Sequence, residues 1–197
     1  MNVTFLPAET VDKAIRQLRI PDPGSATIRE LVAVVNVIEE ETGEKYIRME
    51  MGVPGLVPSQ VGTEAEIEAL RQGVAADYPM VDGVKMLKNE ASRFIKLFAD
   101  VDVSPEGCVP SVGSMQGTYA AFMAVGNLDR KKDTTLFIDP GFPVQKQQMM
   151  VMGQKYASFD VFNFRGAALE AKLESYLSQG NINAIVYSNP NNPTWIC

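Results

Sequence analysis

Apolar residues recur at helical spacing in three stretches of the first half of the chain. The first predicts a short helix over residues 9–20. The second begins at Thr27, which has capping-box spacing to Glu30, and ends at Gly43. The third predicts a helix over residues 84–99. Its apolar stripe consists of Val84, Leu87, Ala91, Phe94, Ile95 and Phe98.

Between these helices the pattern changes. Residues 46–51 alternate between polar and apolar side chains, which predicts a strand. Residues 51–58 contain two Pro and two Gly, so an irregular loop is predicted there. Thr63 and Glu66 repeat the capping-box spacing, and a further helix is predicted from Thr63 to Gly73.

From residue 108 onwards, short apolar strands alternate with helices. Strands are predicted over 108–112, 134–138, 155–161 and 183–187. Helical stretches are predicted up to residue 128, after residue 143 and over 169–177. This alternation is typical of an α/β fold with a mostly parallel sheet and flanking helices.

Three unusual segments follow predicted strands: residues 113–118, 139–143 and 188–194. Because ligands of parallel sheets bind at the carboxyl ends of the strands, we expect the three segments to form a single site. The sequence stops soon after the third segment. A domain rarely ends on such a segment with nothing to cover the last strand, so we interpret the sequence as a truncated domain.

The segment 113–118 is suited to a phosphate group. Its small residues allow backbone N–H groups to approach an anion, and the following helix adds its positive N-terminal end. Ser114, Gln116 and Thr118 add side-chain donors. A tight strand–helix turn with a serine cap is the alternative. The segment matches neither a dinucleotide GxGxxG nor a Walker A motif, because no Lys follows in place.

The other two segments offer an aromatic ring and an amide. Phe142 is placed to stack on a flat cofactor ring, although a core residue gives the same pattern. Asn192, directly before Pro193, can donate to an oxygen atom of a ligand. An ordinary Asx-Pro turn is the weaker alternative, since an apolar strand and two further strand-end segments precede it.

Composition narrows the chemistry. The 197 residues include 18 Lys and Arg against 24 Asp and Glu, a net charge of −6, and no His. Ser-His-Asp triads, Cys-His dyads and His-ligated zinc or haem are therefore excluded, and no metal site is expected. The acidic balance argues against nucleic-acid partners, and no apolar run approaches the roughly 18 residues that a membrane span needs. The two cysteines, Cys108 and Cys197, favour a reducing, cytoplasmic setting.

Five motifs occur in order along the chain: Gly52-x-Pro54, Tyr78 with Gly83, Gly113-Ser114-Met115-Gln116, Asp139-Pro140-x-Phe142-Pro143 and Asn189-Pro190-Asn191-Asn192-Pro193-Thr194. From about Lys45 to its end, the sequence resembles the class I/II aminotransferases, which are fold type I enzymes dependent on pyridoxal 5'-phosphate (PLP). The resemblance implies a homodimer that transfers an amino group between an amino acid and a 2-oxo acid.

The resemblance also implies roles for single residues. Ser114, Met115 through its backbone, and Gln116 correspond to the segment that holds the cofactor phosphate. Phe142 corresponds to the aromatic residue that stacks on the pyridine ring. Asn192 corresponds to the asparagine that donates to the phenolic oxygen of that ring, which is part of the protein's electronic contribution.

The resemblance extends to further residues and to two peptide bonds. Tyr78 corresponds to a tyrosine that reaches the phosphate in the partner subunit, and Gly52 to a glycine beside the substrate. Asp139-Pro140 and Asn192-Pro193 fall where the family often has cis peptide bonds. Trp195 is a departure, because the family commonly has Gly after Asn-Pro-Thr, and we expect a different local turn there.

The family's aspartate on the pyridine nitrogen, its Schiff-base lysine and its substrate-carboxylate arginine all follow the Asn-Pro-Thr motif. All ten lysines of this chain precede that motif, so we expect the chain alone to be inactive. Residues 1–50 are expected to contribute to the small domain, and 51–197 to form the first part of the PLP-binding large domain. One alternative is another fold type I enzyme, such as a lyase, decarboxylase or synthase. A second is a catalytically inactive remnant or interaction subunit.

Overall fold

The computed structural model describes residues 7–195, which form two compact units. The first unit ends at Asp77 and the second begins at Tyr78. The domain boundary expected from the sequence, between residues 50 and 51, concerns the architecture of the whole protein and stays a prediction.

The first unit contains three helices, α1 (Ala8–Gln17), α2 (Ile28–Thr42) and α3 (Gln60–Arg71). The capping box of α2 is confirmed, because the Thr27 hydroxyl accepts from the Glu30 N–H while the Glu30 carboxylate accepts from the Thr27 N–H. Gly43 ends α2 in the left-handed conformation that glycine adopts without strain. The core of this unit lies between α1 and α2 and consists of Ala14, Ile20, Val34 and Ile38.

Two predictions for the first unit are wrong. Residues 46–51 form no strand, and the side chains of Ile47 and Met49 are 91% and 86% exposed. Alternation alone does not make a strand when no neighbouring strand supplies hydrogen bonds. The second capping box is absent, because α3 begins three residues before Thr63, whose hydroxyl donates to the Ser59 carbonyl inside the helix.

The second unit carries the sheet. Its elements are α4 (Lys85–Ala99), α5 (Gly113–Leu128), β1 (Thr134–Asp139), α6 (Val144–Val151), β2 (Lys155–Asp160), α7 (Ala167–Leu177) and β3 (Ile182–Val186). The strand order is β2-β1-β3 and both pairings are parallel. The α/β class with a parallel sheet and flanking helices is therefore confirmed.

The central strand β1 anchors the core of this unit. Residues 134–137 are buried, and Phe137 packs with Phe122 of α5 and Met149 of α6. Through these contacts α5 and α6 are packed against the central strand of the sheet. None of the helices within residues 7–195 is long and apolar enough to cross a membrane.

The expected strand over residues 108–112 is absent. This stretch follows a short 3₁₀ helix, Pro105–Gly107, and forms no ladder. Pro110 has no N–H to donate to a sheet, and it packs against the turn before α4. At Gly83 an added Cβ would lie 2.5 Å from Pro110 Cδ, so only glycine fits that close approach. Residues 113–118 are also not a loop, because they form the first turns of α5.

Candidate functional site

The segments after β1 and β3 meet at the carboxyl ends of these strands. The side-chain amide of Asn191 donates to the Pro140 carbonyl oxygen at 2.7 Å, across 51 positions of sequence. The Asp139–Pro140 and Asn192–Pro193 peptide bonds are cis, as the resemblance implies, and so is Asn189–Pro190. The structure therefore brings two of the three predicted segments into direct contact.

Asn191 is a residue that the sequence analysis missed. The side-chain oxygen (Oδ1) of Asn191 accepts from the Thr194 hydroxyl at 2.8 Å and from the Thr194 N–H at 3.3 Å, so both ends of the side-chain amide are used. The available signal is the Asn-x-x-Thr spacing of 191–194, which is typical of an Asx-type turn. Asn192 is exposed, and its side chain forms no hydrogen bond within residues 7–195, which leaves its amide able to donate to a ligand.

A cavity lies between the ends of β1 and β3. Phe142, which is 42% exposed, lines it together with Tyr187 and Ser188. Lys146 of α6 also lines it and forms an ion pair with Asp139 at 2.5 Å. The partly exposed ring of Phe142 offers an apolar face to a planar ligand, while Asn192 follows on the neighbouring segment.

The start of α5 presents backbone N–H groups, which are the donors that helix N-termini offer to anions. Gly113 has φ +70°, and no side chain caps the helix, whose preceding residue is Val112. The side-chain amide oxygen (Oε1) of Gln116 accepts from the Val112 N–H, outside the helix, and the Ser114 hydroxyl forms no hydrogen bond within the part of the chain described. The Gly113 N–H already donates to the Ser111 carbonyl oxygen at 2.9 Å, so the donors that fit a phosphate group are the N–H groups of Ser114 and Met115.

The segment 113–118 is connected to the other two segments through α6. The side chain of Gln148 bonds to Met115 and Thr118 in the first turns of α5, while α6 itself starts directly after the segment of Phe142. All three predicted segments thus belong to one connected region at one end of the sheet.

Tyr78 and Gly52 are the two remaining predicted site residues. Tyr78 is fully exposed, and no hydrogen bond or ring contact within residues 7–195 links it to the three segments. Gly52 lies in an exposed stretch of the first unit, where an added Cβ would meet no heavy atom within 4 Å. Their roles stay predictions.

The second unit, with its parallel sheet and flanking helices, matches part of the solved structures of fold type I aminotransferases. Residues 44–194, most of the chain, match the family described as aminotransferase class I and II. The chain belongs to this family.

Similar proteins agree with this assignment. The LL-diaminopimelate aminotransferase of Natranaerobius thermophilus is 28% identical over 159 residues, which cover 79% of this chain and 40% of that protein. The aspartate aminotransferase of Thermotoga maritima superposes with a TM-score of 0.67 at 20% identity, over 92% of this chain and 46% of that one. The alanine aminotransferase of Pyrococcus furiosus gives 0.63 at 24% identity, over 95% and 44%. The chain thus spans less than half the length of these relatives.

Proposed function

We propose that the protein transfers an amino group between an amino acid and a 2-oxo acid, with pyridoxal 5'-phosphate as its cofactor. Family membership supports the reaction class. The observation that carries the proposal for the site is the Asn191–Pro140 hydrogen bond, because it brings the segment of Phe142 against that of Asn192. The segment of Phe142 would contact the face of a pyridine ring, and the segment of Asn192 would contact the oxygen atom attached to that ring.

Each part of the cofactor has candidate partners in this chain. The N–H groups at the start of α5, with the Ser114 hydroxyl, the Met115 backbone and the Gln116 amide, would hold the phosphate. Phe142 would stack on the ring, and the Asn192 amide would donate to the ring oxygen. When bound, PLP supplies the carbonyl carbon that takes up the amino group and the ring that withdraws electrons from it. The chain's own contribution is binding and orientation.

The wider assignment extends the same proposal. The active protein would be a cytoplasmic homodimer in which Tyr78 reaches the phosphate bound to the other subunit and Gly52 lies beside the substrate. The chain by itself is expected to hold PLP weakly and without a covalent bond, because none of its ten lysines follows the Asn-Pro-Thr motif.

A binding experiment on the chain tests the cofactor site. PLP is titrated into the wild-type chain and into Phe142→Ala, with binding followed by cofactor absorbance and fluorescence. Loss of the stacked ring is expected to weaken PLP binding by about tenfold. Phe98→Ala is the control, since Phe98 is also an exposed aromatic residue but lines neither of the cavities at the carboxyl ends of β1 and β3. Equal losses in both variants, or no binding by the wild type, would contradict the site.

The reaction class is tested on the full-length protein. Supplied with PLP, an amino-acid donor and a 2-oxo-acid acceptor, it is expected to yield the matching oxo acid and amino acid in equal amounts. Release of carbon dioxide or of a cleaved side chain, with no amino acid formed from the acceptor, would instead indicate a decarboxylase or a lyase.

A further inference from the structure

Gln148 forms two hydrogen bonds that join α6 to the start of α5. Its Nε2 group donates to the Met115 carbonyl oxygen at 2.8 Å, and its Oε1 atom accepts from the Thr118 hydroxyl at 3.0 Å. The residues joined are 33 and 30 positions apart in sequence. This is therefore a tertiary contact, made to the helix turns that carry the proposed phosphate-binding N–H groups.

The chemistry of the three groups fixes the direction of both bonds. A backbone carbonyl only accepts, so the side of Gln148 that faces Met115 must be its NH₂ group. The remaining amide oxygen then faces the Thr118 hydroxyl, whose single proton has two acceptors within reach, Gln148 Oε1 at 3.0 Å and the Met115 carbonyl oxygen at 3.1 Å. Rotating the amide by 180° would place two oxygen atoms against each other at Met115. Gln148 thus uses both ends of its amide on α5.

The helix that carries Gln148 is itself held in place. Met149 is fully buried and packs with Phe122 of α5 and Phe137 of β1. Three residues before Met149 in α6, Lys146 forms its ion pair with Asp139, and the Lys146 Nζ atom lies 5.8 Å from the centre of the Phe137 ring. One short helix is therefore tied both to the aromatic segment and to the start of α5.

We propose that Gln148 is a positioning residue, which holds the phosphate-binding turn of α5 at a fixed distance from the ring of Phe142. This inference rests on the proposed function. Gln148 acts through its hydrogen bonds to Met115 and Thr118. It therefore affects the binding of the phosphate group of the ligand. A ligand with the same ring and no phosphate gains nothing from this positioning.

Two ligands separate this role from a general effect on folding. Dissociation constants are measured for PLP and for pyridoxal, which lacks the phosphate, with the wild-type chain and with Gln148→Met. This substitution keeps the length of the side chain and removes both hydrogen bonds. PLP binding is expected to weaken by about tenfold, while pyridoxal binding changes less than about twofold. Gln147→Met is the matched control, because Gln147 is exposed and its side chain forms no hydrogen bond within residues 7–195.

A second variant guards against loss of structure. Thr118→Val removes the hydroxyl that donates to Gln148 and nearly preserves shape, and it should weaken PLP binding in the same selective way. The double variant should be no weaker than Gln148→Met alone, because both changes break one bonded unit. Circular dichroism and urea unfolding confirm that each variant is folded.

The outcomes are distinguishable. If the wild type binds PLP no better than pyridoxal, the phosphate site and this inference both fail. If the wild type prefers PLP and the preference survives in Gln148→Met and Thr118→Val, the proposed function stands and the positioning role is wrong. Equal losses for both ligands in folded variants would also overturn the role.

Discussion

At the scale of single residues, Asn191 and Asn192 have different roles in the segment 188–194. Asn191 uses its whole side chain inside the protein, on Pro140 and Thr194. The backbone N–H of Asn192 donates to the Ser188 hydroxyl, but its side chain forms no hydrogen bond within residues 7–195, which leaves the side-chain amide able to bind a ligand. The residue that holds the site together is therefore distinct from the residue proposed to contact the cofactor.

Removing the Asn191 side chain should loosen this end of the sheet. Asn191→Ala leaves the Pro140 carbonyl without its donor and is expected to lower the free energy of unfolding by about 1–2 kcal/mol. Urea unfolding followed by circular dichroism measures the change. Asn189→Ala is the control, because Asn189 is exposed and its side chain forms no hydrogen bond within the described residues. An equal effect of both substitutions would contradict the role of Asn191.

Lys88 is an unusual residue of α4, because it is only 7% exposed. Its Nζ atom contacts the Asp82 carboxylate at 2.6 Å, and this hydrogen bond lowers the pKa of Asp82. Asp82→Asn leaves the buried cation with a neutral partner, whereas Lys88→Met removes the charge and keeps the packing. We expect the urea midpoint to fall further in Asp82→Asn than in Lys88→Met. The reverse order would show that the ammonium group itself stabilises the fold.

At the scale of elements, the sequence predicted helices better than strands. The helices α2 and α4 follow from their apolar spacing, and α2 also from its cap at Thr27 and its end at Gly43, all of which are local signals. A strand needs a partner, and neither 46–51 nor 108–112 has one within residues 7–195. The spacing of Thr63 and Glu66 was also ambiguous, because residues three apart are neighbours inside a helix as well as at its start.

The two Thr-x-x-Glu motifs give a matched test of capping. Thr27→Ala removes the confirmed cap of α2 and should lower the free energy of unfolding by about 1 kcal/mol. Thr63→Ala lies inside α3 and should have little effect or stabilise slightly, because alanine has the higher helix propensity. Thermal unfolding of the two variants decides between these expectations. Similar destabilisation by both would mean that Thr63 also caps a helix in solution.

The residues proposed to contact a ligand were predictable from the sequence. The residues that hold the segments of the site together were not. Phe142 and Asn192 follow β1 and β3, and Ser114 lies in a short Gly- and Ser-containing motif, so linear motifs locate all three. Gln148 and Asn191 act across 30 or more positions, and no local pattern reports which backbone carbonyl they meet. The 113–118 segment was misjudged as a loop because Gly and Ser favour turns, while its tertiary setting makes it helical.

At the scale of the whole molecule, the apolar stripe of α4 is mostly exposed rather than buried. The rings of Phe94 and Phe98 stack on each other with centres 5.4 Å apart, and they are 61% and 81% exposed. The spacing of the apolar residues correctly predicted that they lie on one face of a helix. The spacing carries no information on what covers that face. An exposed apolar face of this kind is typical of a contact with further protein.

Acid sensitivity of the first unit follows from its carboxylates. The N–H of Tyr46, and then Lys45, lower the pKa of Glu39 below its ordinary value of 4.5, and hydrogen bonds from Thr27 lower that of Glu30. Groups with lowered pKa values stabilise the folded state above their unfolded pKa, and this stability is lost as the pH falls through the folded value. We therefore expect the urea midpoint to fall steadily below about pH 4.5.

Substitution identifies the groups responsible. Glu39→Gln should flatten the decline of the urea midpoint below pH 4.5 while lowering the midpoint at pH 7. Glu40→Gln is the neighbouring control. An unchanged slope in Glu39→Gln would assign the acid sensitivity to other carboxylates.

The position of β1 between its two neighbours also determines how quickly different amides exchange with solvent deuterium. In a parallel ladder, successive N–H groups point alternately to the two sides of a strand. Both sides of β1 are occupied, so its amides should exchange slowly throughout. In β3, only the amides that face β1 have a strand partner within residues 7–195, and slow and fast amides should alternate along residues 184–186, beyond the register shift at the start of the strand. If a longer form of the protein adds a strand beside β3, the fast set becomes slow while the β1 amides keep their rates.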